Sequence, residues 1–116
     1  MSDVDKALLI ELSGGEAEAK ELLALYFESA RGLLLRLHDA AARQDRDSVG
    51  KAAHQMAGAA GTCGFVRMEE QVRTIETTAE EIPWPELTQR IETVEKLFAT
   101  AETEARALFP EKENRV

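Results

Sequence analysis

The chain has 116 residues, 44% of them hydrophobic and only 5% aromatic, and a formal net charge of −8. That length suits one domain with one packed core. The acidic balance argues against binding to nucleic acid or to anionic membrane surfaces, which call for a basic face, and no run of about 18 apolar residues is present to span a bilayer.

The opening stretch MSDVDKALLIELSGGE carries acids in place of a basic leader, so no signal peptide is expected. Its pattern predicts a short first helix over about 3–12. Ser13 then stands three residues before Glu16, the spacing of a capping box. A long helix is expected from about Glu16 to Arg43, with a stripe through Leu22, Tyr26, Ser29 or Ala30, Leu33, Leu37 and Ala41. Leu23, Phe27, Leu34 and Ala41 offer that helix a second apolar face that a dimer would use, although a monomer is expected. Asp45 or Asp47 can cap a third helix that runs to about Cys63, with Gly64 in the following turn.

The fourth helix is marked by Phe65, Met68, Val72, Ile75, Ala79 and Ile82, alternating steps of three and four. Pro83 and Pro85 break it, and Trp84 between them is expected to cover the bundle end. A last helix carries Leu87, Ile91, Val94, Phe98, Ala101, Ala105 and Leu108, ending at Pro110 and the charged tail EKENRV. The predicted fold is all-α: an antiparallel four-helix bundle over about 15–109 with a short additional N-terminal helix, residues 1–116 forming a single domain. A bundle alone names no function.

Function is carried by residues 52–65, AAHQMAGAAGTCGF, where three glycines share a helical segment with His54. Glycine inside a helix costs about 1 kcal/mol relative to alanine, so each needs a reason. On a wheel of about 100° per residue, Gly50, Gly58 and Gly61 fall within about 40° of His54. Val49, Ala52, Met56, Ala59 and Cys63 fall on the opposite side. Burying the imidazole would expose Met56 and Cys63, so His54 is expected at the surface. The glycines then strip away side chains that would shield it and let another protein approach.

An exposed imidazole is largely neutral at neutral pH, and a neutral ring nitrogen is a nucleophile. The glycines do not form a P-loop, since no Gly-Lys-Ser/Thr follows. A nucleophile without nucleotide-binding machinery suggests a carrier that accepts a group from a partner. Cys63 is the single cysteine, and it falls on the core stripe as an inert thiol; His38 and His54 are too few for a histidine metal site. No metal or cofactor is therefore expected on this chain, and a reducing, cytoplasmic setting is. His38, near the end of the long helix, suits that helix's dipole. Residues 43–67 carry a net charge of +2, against −4 before them and −6 after them. A phosphoryl group or an acidic partner pocket would be favoured there.

Ala53, His54, Gln55, Met56, Ala57 and Gly58, followed by Gly64 and Met68, resemble the pattern of the histidine-containing phosphotransfer (HPt) domain family: Ala-His-x-Leu-Lys-Gly, five residues, Gly, three residues, Leu. The order of helices resembles that family over nearly the whole chain. The resemblance implies that His54 accepts a phosphoryl group on Nε2 from the aspartyl phosphate of a receiver domain and passes it to another receiver. The receiver supplies the acidic pocket and the Mg²⁺. Gly58 gives the receiver room, and Gln55 flanks the ring. The family's lysine is replaced by Ala57, and Lys51, three residues before His54, could reach the same space. The wheel and the resemblance together outline a surface of Gly50, Lys51, Gln55, Ala57, Gly58 and Gly61 around His54.

The expected function is thus a phosphoryl carrier in a multistep phosphorelay, without kinase activity of its own, partnered by receiver domains of response regulators or of a hybrid histidine kinase. Absence of the lysine leaves a second reading, an adaptor of the same fold that docks receiver or kinase domains without being phosphorylated. A phosphohistidine phosphatase would need an acid or base beside His54, and the sequence places only Gln55 there.

Overall fold

The structure, a computed structural model, describes residues 2–110. Five helices follow one another: α1 Lys6–Ser13, α2 Glu16–Ala42, α3 Arg46–Thr62, α4 Val66–Thr78 and α5 Trp84–Leu108. Helices α2, α3, α4 and α5 form a ring in which each packs on the next and α5 closes on α2, while α1 lies against α2. This is the all-α bundle with a short N-terminal helix that the sequence predicts. The segment EKENRV lies outside the described residues.

The helix ends show which local signals prevail. Asp45 caps α3, accepting from the Ser48 backbone N–H at 3.1 Å and from its hydroxyl at 2.7 Å. These two bonds hold the Asp45 carboxyl below its usual range. The expected capping box at Ser13 does not form. Ser13 is the last residue of α1, and its hydroxyl donates back to the Leu9 carbonyl at 2.7 Å. Gly14, at φ +101°, closes α1 in the left-handed conformation that favours glycine, leaving Gly15 to start α2 with no side-chain cap. Gly64 also needs to be glycine: its φ is +73°, and an added Cβ would lie 2.6 Å from a Leu8 methyl.

The first helix starts three residues later than expected because two acids are used as caps. Asp5 accepts from the Leu8 N–H, capping α1. Asp3 reaches across the molecule to the start of α4, accepting from the backbone N–H groups of Arg67 at 2.9 Å and Met68 at 3.0 Å. The N-cap residue of α4 is Phe65, which offers no side-chain acceptor, so Asp3 supplies one from a distant part of the chain. Replacing Asp3 by alanine is expected to destabilise the fold by about 1 kcal/mol, the usual cost of a lost N-cap. Urea unfolding of the pair would check it; an unchanged midpoint would mean water replaces the carboxylate at no cost.

The fourth helix stops at Thr78, short of the Ile82 expected from its stripe. Ile82 precedes Pro83, and the residue before proline is pushed out of helical geometry. Arg46 fastens this turn to α3, donating to the Ala79 and Ile82 carbonyls at 2.7 Å each and stacking over the Trp84 ring at 4.6 Å. Its charge thereby satisfies carbonyls that the ending helix leaves without partners.

The core holds Leu9, Leu37, Val49, Met56, Phe65, Met68, Val72, Ile75, Leu87, Ile91 and Val94 among its fully buried side chains. On α2 the buried face is wider than predicted and rotated. Leu23, Phe27 and Leu34, expected as a second face for a dimer, are buried with Tyr26, Leu33 and Leu37, while Leu22 and Ala41 are only half-buried at its margin. The reason is that α2 contacts α1, α3 and α5 together, which takes more than a narrow stripe. Cys63 is buried, and burial pushes its thiol up to about 11, so it stays protonated and unreactive at neutral pH.

Candidate functional site

His54 lies mid-way along α3 with its side chain 69% exposed. The sequence dictates this. Val49, Ala52, Ala53, Met56, Ala57 and Ala60 fill the buried face of α3, and the only direction left for residue 54 is outward. The imidazole is nonetheless held. Its Nδ1 lies 2.7 Å from Glu76 Oε2 on α4. A carboxylate can only accept, so the ring nitrogen donates and Nδ1 carries the proton. In the neutral ring Nε2 is then unprotonated and keeps its lone pair.

Glu76 is held in turn. Arg73 Nη1 is 3.7 Å from Glu76 Oε1, and the same guanidinium bonds Glu69 Oε2 at 2.9 and 3.1 Å. Glu69, Arg73 and Glu76 thus form a charged ridge on α4 beside the exposed face of α3. Sequence reasoning missed this ridge, and with it the carboxylate beside His54 where it expected only Gln55. A signal existed: position 76 follows Ile75 on the apolar stripe of α4, at the boundary where a side chain leaves the core towards the neighbouring helix.

The other expected site residues divide. A groove of about 440 Å³ beside the imidazole brings together Gly50, Lys51, Gln55 and His54 with Asp47, Glu76, Ala79 and Glu80. Gly58 is exposed, and a Cβ there would meet nothing within 4 Å, so the surface one turn after His54 is open. Gln55 is exposed and accepts a long hydrogen bond, 3.4 Å, from Arg36 on α2.

Two expectations are corrected. Ala57 is fully buried, because α4 covers that flank of α3, and so presents no surface to a partner or a phosphate. Gly61 is exposed, as expected, and a Cβ there would sit 3.2 Å from the Glu69 carboxylate, the end of a flexible side chain. The surroundings of His54 are not basic in space. Glu76 and Glu80 share its groove, Lys51 is 3.0 Å from Asp47, Arg43 pairs with Asp39 and Asp45, and Arg46 is used at the α4–α5 turn. Charges summed along the chain omit those that packing brings in from α4.

The second histidine is differently placed. His38 Nε2 is 3.3 Å from Glu95 Oε1, bridging α2 to α5. Phe65, expected on the apolar stripe of the fourth helix, is fully buried. Among the described residues no group of three or more His, Cys, Asp or Glu side chains is placed to hold a metal ion, and no helix is long and apolar enough to cross a membrane.

The arrangement offers one exposed, oriented nitrogen nucleophile on an open helical surface. No curated protein and no solved structure is significantly similar to the chain. A family model described as Hpt domain matches residues 21–107, spanning α2 to α5 apart from the ends of the first and last of these. The chain therefore belongs to the Hpt domain family, the histidine phosphotransfer modules of phosphorelays.

Proposed function

We propose that His54 is the phosphoacceptor, and that the chain takes a phosphoryl group from one receiver domain and delivers it to another. The observation that carries this reading is the bond from His54 Nδ1 to Glu76 with the opposite side of an exposed ring left open. The Nε2 lone pair attacks the phosphorus of the receiver's aspartyl phosphate. The N–P bond forms as the P–O bond to aspartate breaks, and the carboxylate leaves with the electron pair. The ring gains positive charge while Nδ1 keeps its proton, and the Glu76 carboxylate offsets that charge. In the second transfer another receiver's aspartate attacks the phosphorus, and Nε2 recovers its electron pair. The acidic pocket and its Mg²⁺ belong to the receiver. Because Leu23, Phe27 and Leu34 are used in its own core, the chain is read as a monomer, working in the cytoplasm.

The test is to mix the purified protein with a panel of phosphorylated receiver domains. The expected product carries an acid-labile, alkali-stable label that mass spectrometry places on His54. Docking without label on any pairing would instead establish a non-phosphorylated adaptor.

Glu76 gives a finer prediction. Glutamine at 76 can still accept from Nδ1 but lacks the charge that offsets the developing imidazolium. A charge-assisted bond exceeds a neutral one by about 1 kcal/mol when partly exposed, which corresponds to about five-fold in rate. Rapid-quench transfer from a phosphorylated receiver is expected to slow by about that factor in Glu76→Gln. An unchanged rate would mean that Glu76 only positions the ring.

A further inference from the structure

Once phosphorylated, His54 would hold a dianion on a face whose α4 side is lined by Glu76 and Glu80, the nearby Arg73 being bonded to Glu69 and 3.7 Å from Glu76. Like charges repel, so the phosphoryl oxygens are driven towards the α2 side of α3. The cation that would meet them is not obvious within α3. Residue 57 is a buried alanine, residue 58 is glycine, and Lys51 is engaged by Asp47 at 3.0 Å. On the α2 side stands Gln55, directly after His54, and over it Arg36.

Arg36 is exposed, and its one hydrogen bond among the described residues is the 3.4 Å contact from Nη1 to the neutral Gln55 Oε1. It makes no ion pair among the described residues. The carboxylate one turn along α2, Asp39, is taken by Arg43 at 3.0 Å. A guanidinium with only a long, neutral contact keeps its paired N–H donors available for a phosphate. Arg36, Lys51 and Gln55 also border an open groove of about 280 Å³ between α2 and α3, together with Asp39, Arg43, Ser48 and Ala52; Lys51 and Gln55 line the His54 groove as well, so the two grooves adjoin there.

We propose that Arg36 is the phosphate-supporting residue of this protein, contacting the phosphoryl group on His54 Nε2 from the Gln55 side; this rests on the reading of His54 as phosphoacceptor. It supplies from a different helix the charge that position 57 lacks.

The experiment measures the equilibrium of phosphoryl exchange with one receiver, at concentrations below their dissociation constant, in wild type, Arg36→Gln, Arg36→Lys and Lys51→Ala. Loss of the guanidinium is expected to shift the equilibrium about five-fold towards the phosphorylated receiver, the scale of an exposed charge pair with a dianion. Arg36→Lys should recover part of this, and Lys51→Ala should shift it less than Arg36→Gln. The ³¹P resonance of the phosphohistidine should move in Arg36→Gln. Equal equilibria and resonances in wild type and Arg36→Gln would overturn the role of Arg36 while leaving His54 as acceptor. A larger shift from Lys51→Ala would overturn it in favour of Lys51. Failure of wild type to take label from any receiver would overturn both readings together.

Discussion

Replacing His54 by glutamine is expected to abolish phosphoryl acceptance, by roughly a thousand-fold or more, the scale on which loss of a reacting nucleophile acts, with the fold unchanged. An amide nitrogen has no available lone pair, so glutamine at 54 offers the phosphorus no nucleophile. The stability side of the prediction follows from exposure. The side chain is 69% open to solvent and its one partner, Glu76, stays accessible enough to be hydrated. Exposed ion pairs contribute little, so the unfolding free energy should change by no more than about 0.5 kcal/mol. Labelling from a phosphorylated receiver, with circular dichroism of the same samples, reads both quantities. His38→Gln is the necessary partner variant. Its Nε2 faces Glu95 across the α2–α5 seam, so it should label as wild type does. Label persisting on His54→Gln and lost on His38→Gln would transfer the acceptor role to His38.

The parts of this molecule that a sequence states directly are those decided within one helix. The Asp45 cap, the exposure of His54 and the burial of Met56 and Cys63 all follow from positions on α3 alone. The parts it hides are decided by a second helix. Ala57 is small and neutral enough for either surface or core, and only the packing of α4 against α3 makes it core. Glu76 lies 22 residues from His54 and meets it only because α3 and α4 pack side by side. Asp3 meets α4 from more than sixty residues away. On α2 the positions Leu22, Leu23, Tyr26 and Phe27 fit a helical period in either of two phases. Contact with three neighbouring helices selects a face that includes Leu23 and leaves Leu22 at its edge. The family pattern, in contrast, is local, and so the family was legible before the charges around its histidine were.

Phe65→Ala is expected to be the most destabilising substitution of those considered, by about 3–5 kcal/mol. Phe65 occupies the turn between α3 and α4, where a side chain is normally exposed, yet it is 0% exposed. Its ring meets Tyr26 edge-on at 4.9 Å and lies tilted against Phe27 at 6.2 Å, and Phe27 meets Phe98 of α5 at 5.5 Å. One residue therefore joins the α3–α4 turn to α2 and, through Phe27, to α5. Alanine would remove those contacts and leave a cavity that helices fixed on several sides cannot close. Against a total of about 5–15 kcal/mol for a domain of this size, the variant should remain largely folded at 25 °C only if the parent lies in the upper part of that range. Denaturant unfolding should show a lower midpoint with an unchanged slope, because the surface exposed on unfolding is nearly the same. A loss below about 1.5 kcal/mol would mean that the turn collapses into the cavity. The functional consequence separates this residue from the site. His54 sits on the exposed face of α3 and touches none of these rings, so the folded fraction of Phe65→Ala should transfer phosphate at the wild-type rate. A rate falling faster than the folded fraction would show that the aromatic cluster also sets the α3–α4 geometry holding Glu76 against His54.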